Sequence, residues 1–185
     1  MSNATQSPTT TSQNDSGPRI YVACLSSYNA GILHGTWIDA TQEPDAIHAE
    51  IKAMLKRSKV QPAEEFAIHD YEGFFNIHIG EYQSIESVAE HAQFAVTHGE
   101  LGAKVIEALG SIGDAESALN DNYQGAFDSL TDWAEDFLAE TGELSKLPDN
   151  LKRYFDYESY ARDVEMSGDI LTLEVGGQHH IFWTR

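Results

Sequence analysis

The chain has 185 residues, which is enough for one or two ordinary domains or for several very small ones. Its 30 acidic and 11 basic residues give a formal net charge of −19 at pH 7. That balance argues against direct binding to DNA, RNA or an anionic membrane, since those partners need Lys and Arg, and it makes a basic protein the natural partner.

The apolar content of 41% allows a folded core, so composition alone does not indicate disorder. The sequence shows neither an apolar run of membrane-spanning length nor a basic-then-apolar signal pattern at its start. We therefore expect a soluble, cytoplasmic protein that does not contact membranes. Cys24 is the one cysteine, which excludes an internal disulfide.

The first part of the chain predicts a disordered tail followed by a small α+β domain. Residues 1–18 are mostly Ser, Thr, Asn, Gln and Pro, a composition typical of disorder. Residues 19–83 then follow a β-β-α-β order, which predicts the N-terminal domain. Its elements are strands at 19–25, 32–38 and 66–69, turns at 26–31 and 70–73, and a helix that Pro44 opens and whose apolar stripe is Ile47, Ile51, Met54 and Leu55.

Helical periodicity dominates the next part, and residues 84–122 are predicted as a central helical domain. Residues 123–185 are predicted as a C-terminal domain of helices plus a β-hairpin. The predicted fold is therefore α+β, an elongated chain of three small domains. The elements are helices from Ser84 to Gly99, at 101–109, 115–119, 127–141 and 148–166 (broken near Phe155), breaks at 111–114 and 123–125, and hairpin strands at 170–175 and 179–184.

Negative charge is concentrated in one part of the sequence. Residues 61–165 hold 23 acids and 5 bases, and residues 105–145 hold ten acids with no Lys, Arg or His. On a helix, Asp128, Asp132, Asp136 and Glu140 would set one charge per roughly 6 Å of rise. Like charges at this spacing cost a helix a few tenths of a kcal/mol per pair. We hypothesise that the carboxylates stand in for the phosphates of a nucleic acid; the alternative is a merely solvated face.

The candidate partner-binding residues are the ten acids of residues 105–145 and three acids of a later aromatic segment. That segment places Tyr154, Phe155, Tyr157 and Tyr160 around acids, and its rings fit either a core or a dimer contact. The thirteen acids are Glu107, Asp114, Glu116, Asp121, Asp128, Asp132, Glu135, Asp136, Glu140, Glu143, Asp156, Glu158 and Asp163.

No motif of the sequence argues for catalysis. It contains no phosphate-binding G-x-x-x-x-G-K loop and no H-E-x-x-H. The acidic loop at 120–125 misses the calcium-loop register and its closing Glu. The adjacent His179 and His180 would point to opposite faces of a strand, and pairs such as Glu64 and Glu65 are expected by chance among 30 acids. We therefore expect no enzyme activity, no metal and no cofactor.

Four separated segments resemble one known family. They are Ile20-Tyr21-Val22-Ala23 with Ser27-Tyr28-Asn29-Ala30-Gly31 and His34-Gly35-Thr36-Trp37; Ala67-Ile68-His69-Asp70-Tyr71-Glu72-Gly73-Phe74; Asp121-Asn122-Tyr123-Gln124-Gly125; and Tyr154-Phe155-Asp156-Tyr157-Glu158-Ser159-Tyr160-Ala161-Arg162-Asp163. Together they resemble the ArdA antirestriction proteins, in order, from about Ile20 to the C-terminus. Nothing in the resemblance extends to the tail before Pro18.

The resemblance implies an elongated, three-domain, dimeric mimic of DNA, encoded by mobile elements, without catalytic residues or cofactor. It implies that the protein occupies the DNA-binding groove of type I restriction-modification enzymes, formed by their specificity and methyltransferase subunits, so that incoming DNA is not cut. The family's antirestriction motif would fall at residues 109–123, and the dimer contact would lie in the last third of the chain.

Two other readings of the charge remain open. An acidic interaction protein without DNA mimicry would bind cationic proteins generally. A metal-dependent hydrolase would lose its activity on chelation, and the motif search favours it least. Competition with DNA for a DNA-binding enzyme distinguishes a mimic from both.

Overall fold

The computed structural model describes residues 17–184 and confirms the predicted α+β class. Two three-stranded antiparallel sheets are each accompanied by helices. The described chain divides into two compact units, the first from residues 17–74 and 78–96 and the second from 75–77 and 97–184. A division into three domains at residues 83 and 122 stays a prediction. The predicted tail lies, up to residue 16, outside the described residues.

The first unit is built on a sheet whose central strand carries the apolar residues. Strand β1 (Arg19–Cys24) pairs antiparallel with β2 (Gly35–Asp39) on one side and β3 (Phe66–Glu72) on the other. Helix α2 (Pro44–Lys56) begins at Pro44 as predicted, because a proline at the first helical position removes no helical hydrogen bond. All four residues of its predicted stripe are buried.

Two local predictions in the first unit were wrong. The turn expected at 26–31 contains a short helix, α1 (Leu25–Asn29), which ends before Gly31 at a φ of 74°. Strand β3 continues past His69 to Glu72, because its end pairs with Arg19 both in sheet register and by an ion pair of 2.6 Å. A turn-forming composition was overridden there by cross-strand pairing.

The ordered fold begins before residue 19. Pro18 is buried, and its carbonyl accepts a hydrogen bond of 2.9 Å from the Ala40 N–H. Gly73 has a φ of 82°, and a Cβ there would lie 2.9 Å from the backbone of Gly17 and Pro18. A side chain at position 73 is therefore excluded both by backbone conformation and by this segment.

The long helical segment α3 (Ile85–Leu109) contains the predicted break. Gly99 adopts a φ of 56° and a ψ of −144°, outside helical geometry, so the segment consists of two helices. At its start the Ser84 hydroxyl accepts the Ser87 N–H at 3.2 Å, the expected cap. Gly110 follows the segment with a φ of 89°, the conformation that a C-terminal glycine supplies.

The second unit is built on a sheet with strand order β4-β6-β5. Strands β5 (Ile170–Val175) and β6 (Gln178–Trp183) form the predicted hairpin, and Gly176 and Gly177 both have positive φ, as a two-residue type I′ turn requires. The joint expected at 123–125 is instead part of β4 (Tyr123–Phe127). Its pairing with β6 shifts register at Gly125, which has a φ of 121°. This irregularity interrupts the alternation of apolar and polar residues by which a strand is recognised in a sequence.

The helices of the second unit differ from prediction mainly at their starts. The first begins inside the break expected at 111–114, and the main acidic helix begins at Leu130 rather than Phe127. Gly142 and Gly168 end their helices in the left-handed conformation, as predicted. The elements are α4 (Ile112–Ser117), a π-helical turn (Ala118–Asn122), α5 (Leu130–Thr141), a 3₁₀ turn (Glu143–Lys146), α6 (Asp149–Lys152) and α7 (Tyr157–Ser167).

Trp133 lies at the centre of the second unit's core, with 1% of its surface exposed. It packs with Ala134 of the same helix, Ala161 of α7, and Ile170 and Ile181 of the sheet. Its ring also contacts Phe137 and Trp183, with centroid distances of 5.5 and 5.8 Å. The acidic helix α5 is therefore fixed to the rest of its unit by an aromatic inner face.

Replacing Trp133 with Ala should lower the free energy of unfolding of the second unit by about 3–5 kcal/mol, the usual cost of a large aromatic truncation in a core. Urea denaturation followed by circular dichroism measures this loss. Glu135→Ala, on the exposed side of the same helix, is the control and should change stability little. Equal unfolding midpoints for the two variants would contradict the packing described.

Candidate partner-binding surface

All thirteen candidate acids lie in the second unit, and all are exposed. By sequence, residues 75–77 and 97–184 hold 18 acidic and 5 basic residues, a net −13, whereas residues 17–74 and 78–96 hold 11 and 5, a net −6. Sequence reasoning thus identified residues that the fold brings into one unit.

Within residues 17–184, the ion pairs at 4.0 Å or less involve none of the thirteen acids. Three of these pairs belong to the first unit, and the fourth joins Lys152 to Asp149 at 2.8 Å. The basic side chains nearby have other partners: Lys104 donates to the Glu174 carbonyl, and Arg162 donates to the Ser159 hydroxyl. The negative field of the second unit is therefore weakly compensated by its own cations.

The predicted row of four acids on one helix is corrected to three. Asp132, Asp136 and Glu140 follow each other at four-residue spacing on α5, but Asp128 precedes the helix and its cap. The Asp128 carboxylate instead accepts a 3.4 Å hydrogen bond from Gln178 of β6. The physical reason for the error is Ser129. Its hydroxyl accepts a backbone N–H of the first turn, so the helix begins after Ser129 and not at Phe127.

Two acids stand in a repeated Ser-x-x-Asp cap. The Ser129 hydroxyl accepts the Asp132 N–H at 3.1 Å and donates to the Asp132 carboxylate at 2.6 Å. Ser111 and Asp114 make the same two contacts at 3.1 and 2.7 Å at the start of α4. A carboxylate in the first turn is also favoured by the helix dipole. Folding alone therefore accounts for an acid at both positions.

Asp156 caps helix α7 directly. Its carboxylate accepts the Ser159 N–H at 3.0 Å and the Ser159 hydroxyl at 2.8 Å. These backbone and side-chain hydrogen bonds favour the charged form and hold the pKa of Asp156 below its ordinary value. Asp114, Asp132 and Asp156 are thus acids with a local structural role, which distinguishes them from acids such as Glu135 and Glu140.

The aromatic segment divides between core and surface. Tyr160 packs against the core of the second unit, and Phe155 contacts Tyr157 at a centroid distance of 5.0 Å. Tyr154, by contrast, is 74% exposed, with the Arg153 guanidinium 5.2 Å from its ring centre. Leu147 and Leu151, just before it, are also exposed. The core interpretation therefore holds for part of the segment only.

Sequence reasoning missed a groove of about 540 Å³ in the second unit. The rings of Phe137, Tyr160 and Trp183 line it together with the acids Glu143 and Asp169. These residues come from four different elements and the loops after them. No regular spacing in the sequence indicates that they lie close together. Only Glu143 was among the candidates.

The alternative sites considered for the sequence receive no new support. His180 Nδ1 lies 2.7 Å from the Tyr123 hydroxyl, and burial lowers the pKa of His180. Within residues 17–184, no group of three or more His, Cys, Asp or Glu is placed to hold a metal ion. Over the same range no helix has the length and apolarity needed to cross a membrane.

The chain matches the model of a known protein family. The model of the family described as antirestriction protein (ArdA) matches residues 20–178, which is most of the chain. No curated protein matches the sequence.

Neutralising Asp156 with Asn should remove an acid-dependent part of the stability. Because the folded-state pKa is lowered, the charged cap stabilises the protein above the unfolded pKa of about 3.9, and the effect is lost as pH falls through the folded value. Urea midpoints of the parent should therefore exceed those of Asp156→Asn at pH 6 and approach them toward pH 2–3. Glu158→Gln, two residues further along and without such hydrogen bonds, is the control; a difference that does not change with pH would contradict this account.

Proposed function

The chain belongs to the ArdA family of antirestriction proteins, and from this we propose that it blocks the DNA-binding groove of type I restriction-modification enzymes with an acidic surface that imitates DNA. The specificity and methyltransferase subunits form that groove. The block protects incoming mobile DNA from cleavage. It requires neither catalysis nor a cofactor, because occupancy of the groove is sufficient.

The observation that carries the proposal is the set of thirteen exposed acids in the second unit, none of them ion-paired within the described chain. B-DNA carries one charge per about 1.7 Å of axis when both strands are counted. A single helix with one acid per turn is sparser, at one charge per roughly 6 Å. Acids from α4, α5, α7 and the segments between them raise the density toward that of a duplex.

The mechanism is electrostatic competition. A DNA-binding groove is lined by Lys and Arg, and a strongly acidic partner is steered toward it at an increased rate. The helix backbones that carry the carboxylates are already ordered by packing, so binding orders only side chains, which lowers the entropic cost. Each exposed charge adds little by itself, so the effect is shared among many acids.

We propose further that the protein acts in the cytoplasm as a homodimer. The exposed apolar side chains Leu147, Leu151 and Tyr154 lie in the last third of the chain, and they supply the kind of aromatic and aliphatic surface that interfaces use. Leu147 and Leu151 precede the aromatic segment and Tyr154 begins it, and the core of the second unit leaves all three exposed.

The proposal is tested by titrating the protein against a type I methyltransferase already bound to labelled duplex DNA. The expected result is full, competitive release of the DNA. In a separate titration without DNA, the affinity of the protein for the methyltransferase should fall as salt rises from 50 to 200 mM. Salt should matter because both partners exchange counterions when they meet. Fluorescence anisotropy of the labelled DNA measures the release.

A general acidic interaction protein would give a different pattern. It would bind histone-like cationic peptides as well as it binds the methyltransferase, and it would leave DNA on the enzyme. Direct binding to the methyltransferase that does not respond to salt, or tight binding to free cationic peptides, would therefore contradict DNA mimicry.

Neutralising Asp128, Asp132, Asp136 and Glu140 together, to Asn and Gln, should raise the concentration needed for half displacement by roughly tenfold or more, since exposed charges contribute up to about 1 kcal/mol each. Any one of these substitutions alone should change it by less than about fivefold. The measurement is the same anisotropy titration.

The matched control neutralises four exposed acids of the first unit, Glu43, Glu64, Glu65 and Glu90, to Gln. It changes the net charge by the same amount on a different surface. Equal inhibition by the two quadruple variants would mean that total charge, rather than the surface around α5, determines binding.

A further inference from the structure

The groove of the second unit combines aromatic walls with carboxylates at its edge. The rings of Phe137 and Trp183 meet at a centroid distance of 5.3 Å and an angle of 64°, and Tyr160 lies along the same groove. All three rings are only half-buried, so part of each is available to a ligand. Their inner parts belong to the packed core, which fixes their positions.

Two carboxylates make the groove electrostatically negative. Glu143 is exposed at the start of the 3₁₀ turn, and Asp169 is half-buried just before β5. Asp169 is positioned by the Ser167 hydroxyl, which donates to its carboxylate at 2.8 Å. Burial raises the pKa of Tyr160, and the negative charges of Glu143 and Asp169 raise it further. Both carboxylates therefore act on the same space.

We propose that this groove receives the guanidinium of an arginine side chain from the DNA-binding groove of the target enzyme. The inference rests on the proposed function. It assigns to the groove a specific contact with the same enzyme, which the exposed surface acids do not provide. In this contact, aromatic rings and carboxylates together recognise a cation.

The composition of the groove favours arginine over other groups. A guanidinium is planar and weakly hydrated, so it stacks on aromatic rings and gives up water more readily than an ammonium does. It also presents paired N–H donors that suit a carboxylate. A volume of about 540 Å³ is large enough for the whole side chain. A neutral ligand would gain nothing from the negative charge of Glu143, which lies at the edge of the groove beside Tyr160.

The first test uses the free protein and N-acetyl-L-arginine amide as the probe. The indole N–H signal of Trp183, identified through Trp183→Phe, should shift saturably at tens of millimolar probe, the weak range typical of one small contact. N-acetyl-L-citrulline amide has the same shape without the charge and should cause little shift. An equal response to both probes, or no response at Trp183, overturns the proposal.

The second test compares two double variants with the same loss of charge. Glu143→Gln with Asp169→Asn removes the carboxylates of the groove and should weaken probe binding by about fivefold or more. Glu135→Gln with Glu140→Gln removes two exposed acids that do not line the groove and should leave probe binding within about twofold of the parent. Circular dichroism spectra confirm that each variant is folded before binding is compared.

The same variants in the DNA-displacement titration connect the groove to the target. The groove variant should need at least about threefold more protein for half displacement than the control variant. Equal values, with the parent still displacing DNA, overturn the arginine contact and leave the antirestriction proposal intact. If the parent itself fails to displace DNA, the proposed function is the part that is wrong.

Discussion

The burial of Trp133 is the interaction on which the acidic second unit depends. A unit with a net charge of −13 repels itself, and its compact state needs an apolar contact strong enough to oppose that repulsion. Trp133 supplies it by joining α5 to α7 and to the sheet through one side chain. Because the ring fills the inner side of α5, the carboxylates of the same helix are left on the solvent side. One packing contact thus both stabilises the unit and displays its charge.

Much of the fold could be predicted because its signals are local. Pro44 begins a helix, Gly99, Gly142 and Gly168 end or break helices, and the Gly176-Gly177 pair joins two strands, each through the backbone freedom or restriction of a single residue. Strand β4 could not be predicted in this way. Its residues become a strand only by pairing with β6, which lies about fifty residues away in the sequence.

The candidate surface shows the same division between local and distant causes. Exposure of the thirteen acids followed from their charge, since an unpaired carboxylate is costly to bury. The first residue of α5 could not be predicted from charge. The four-residue spacing of acids begins at Asp128, whereas the helix begins only after its cap, Ser129. The groove could not be predicted from the sequence. Its aromatic lining includes Phe137 and Trp183, which also pack against the core, so their apolar pattern does not distinguish groove residues from core residues.

Because of the repeated Ser-x-x-Asp caps, the acids of the surface do not all tolerate substitution equally. A change at Glu135 or Glu140 alters only the display of charge, whereas a change at Asp114 or Asp132 also loosens the first turn of a helix. Selection for a folded chain therefore maintains part of the negative charge even in a host that carries no restriction system. Such a chain would keep part of its acidic surface through generations in which no restriction enzyme selects for it.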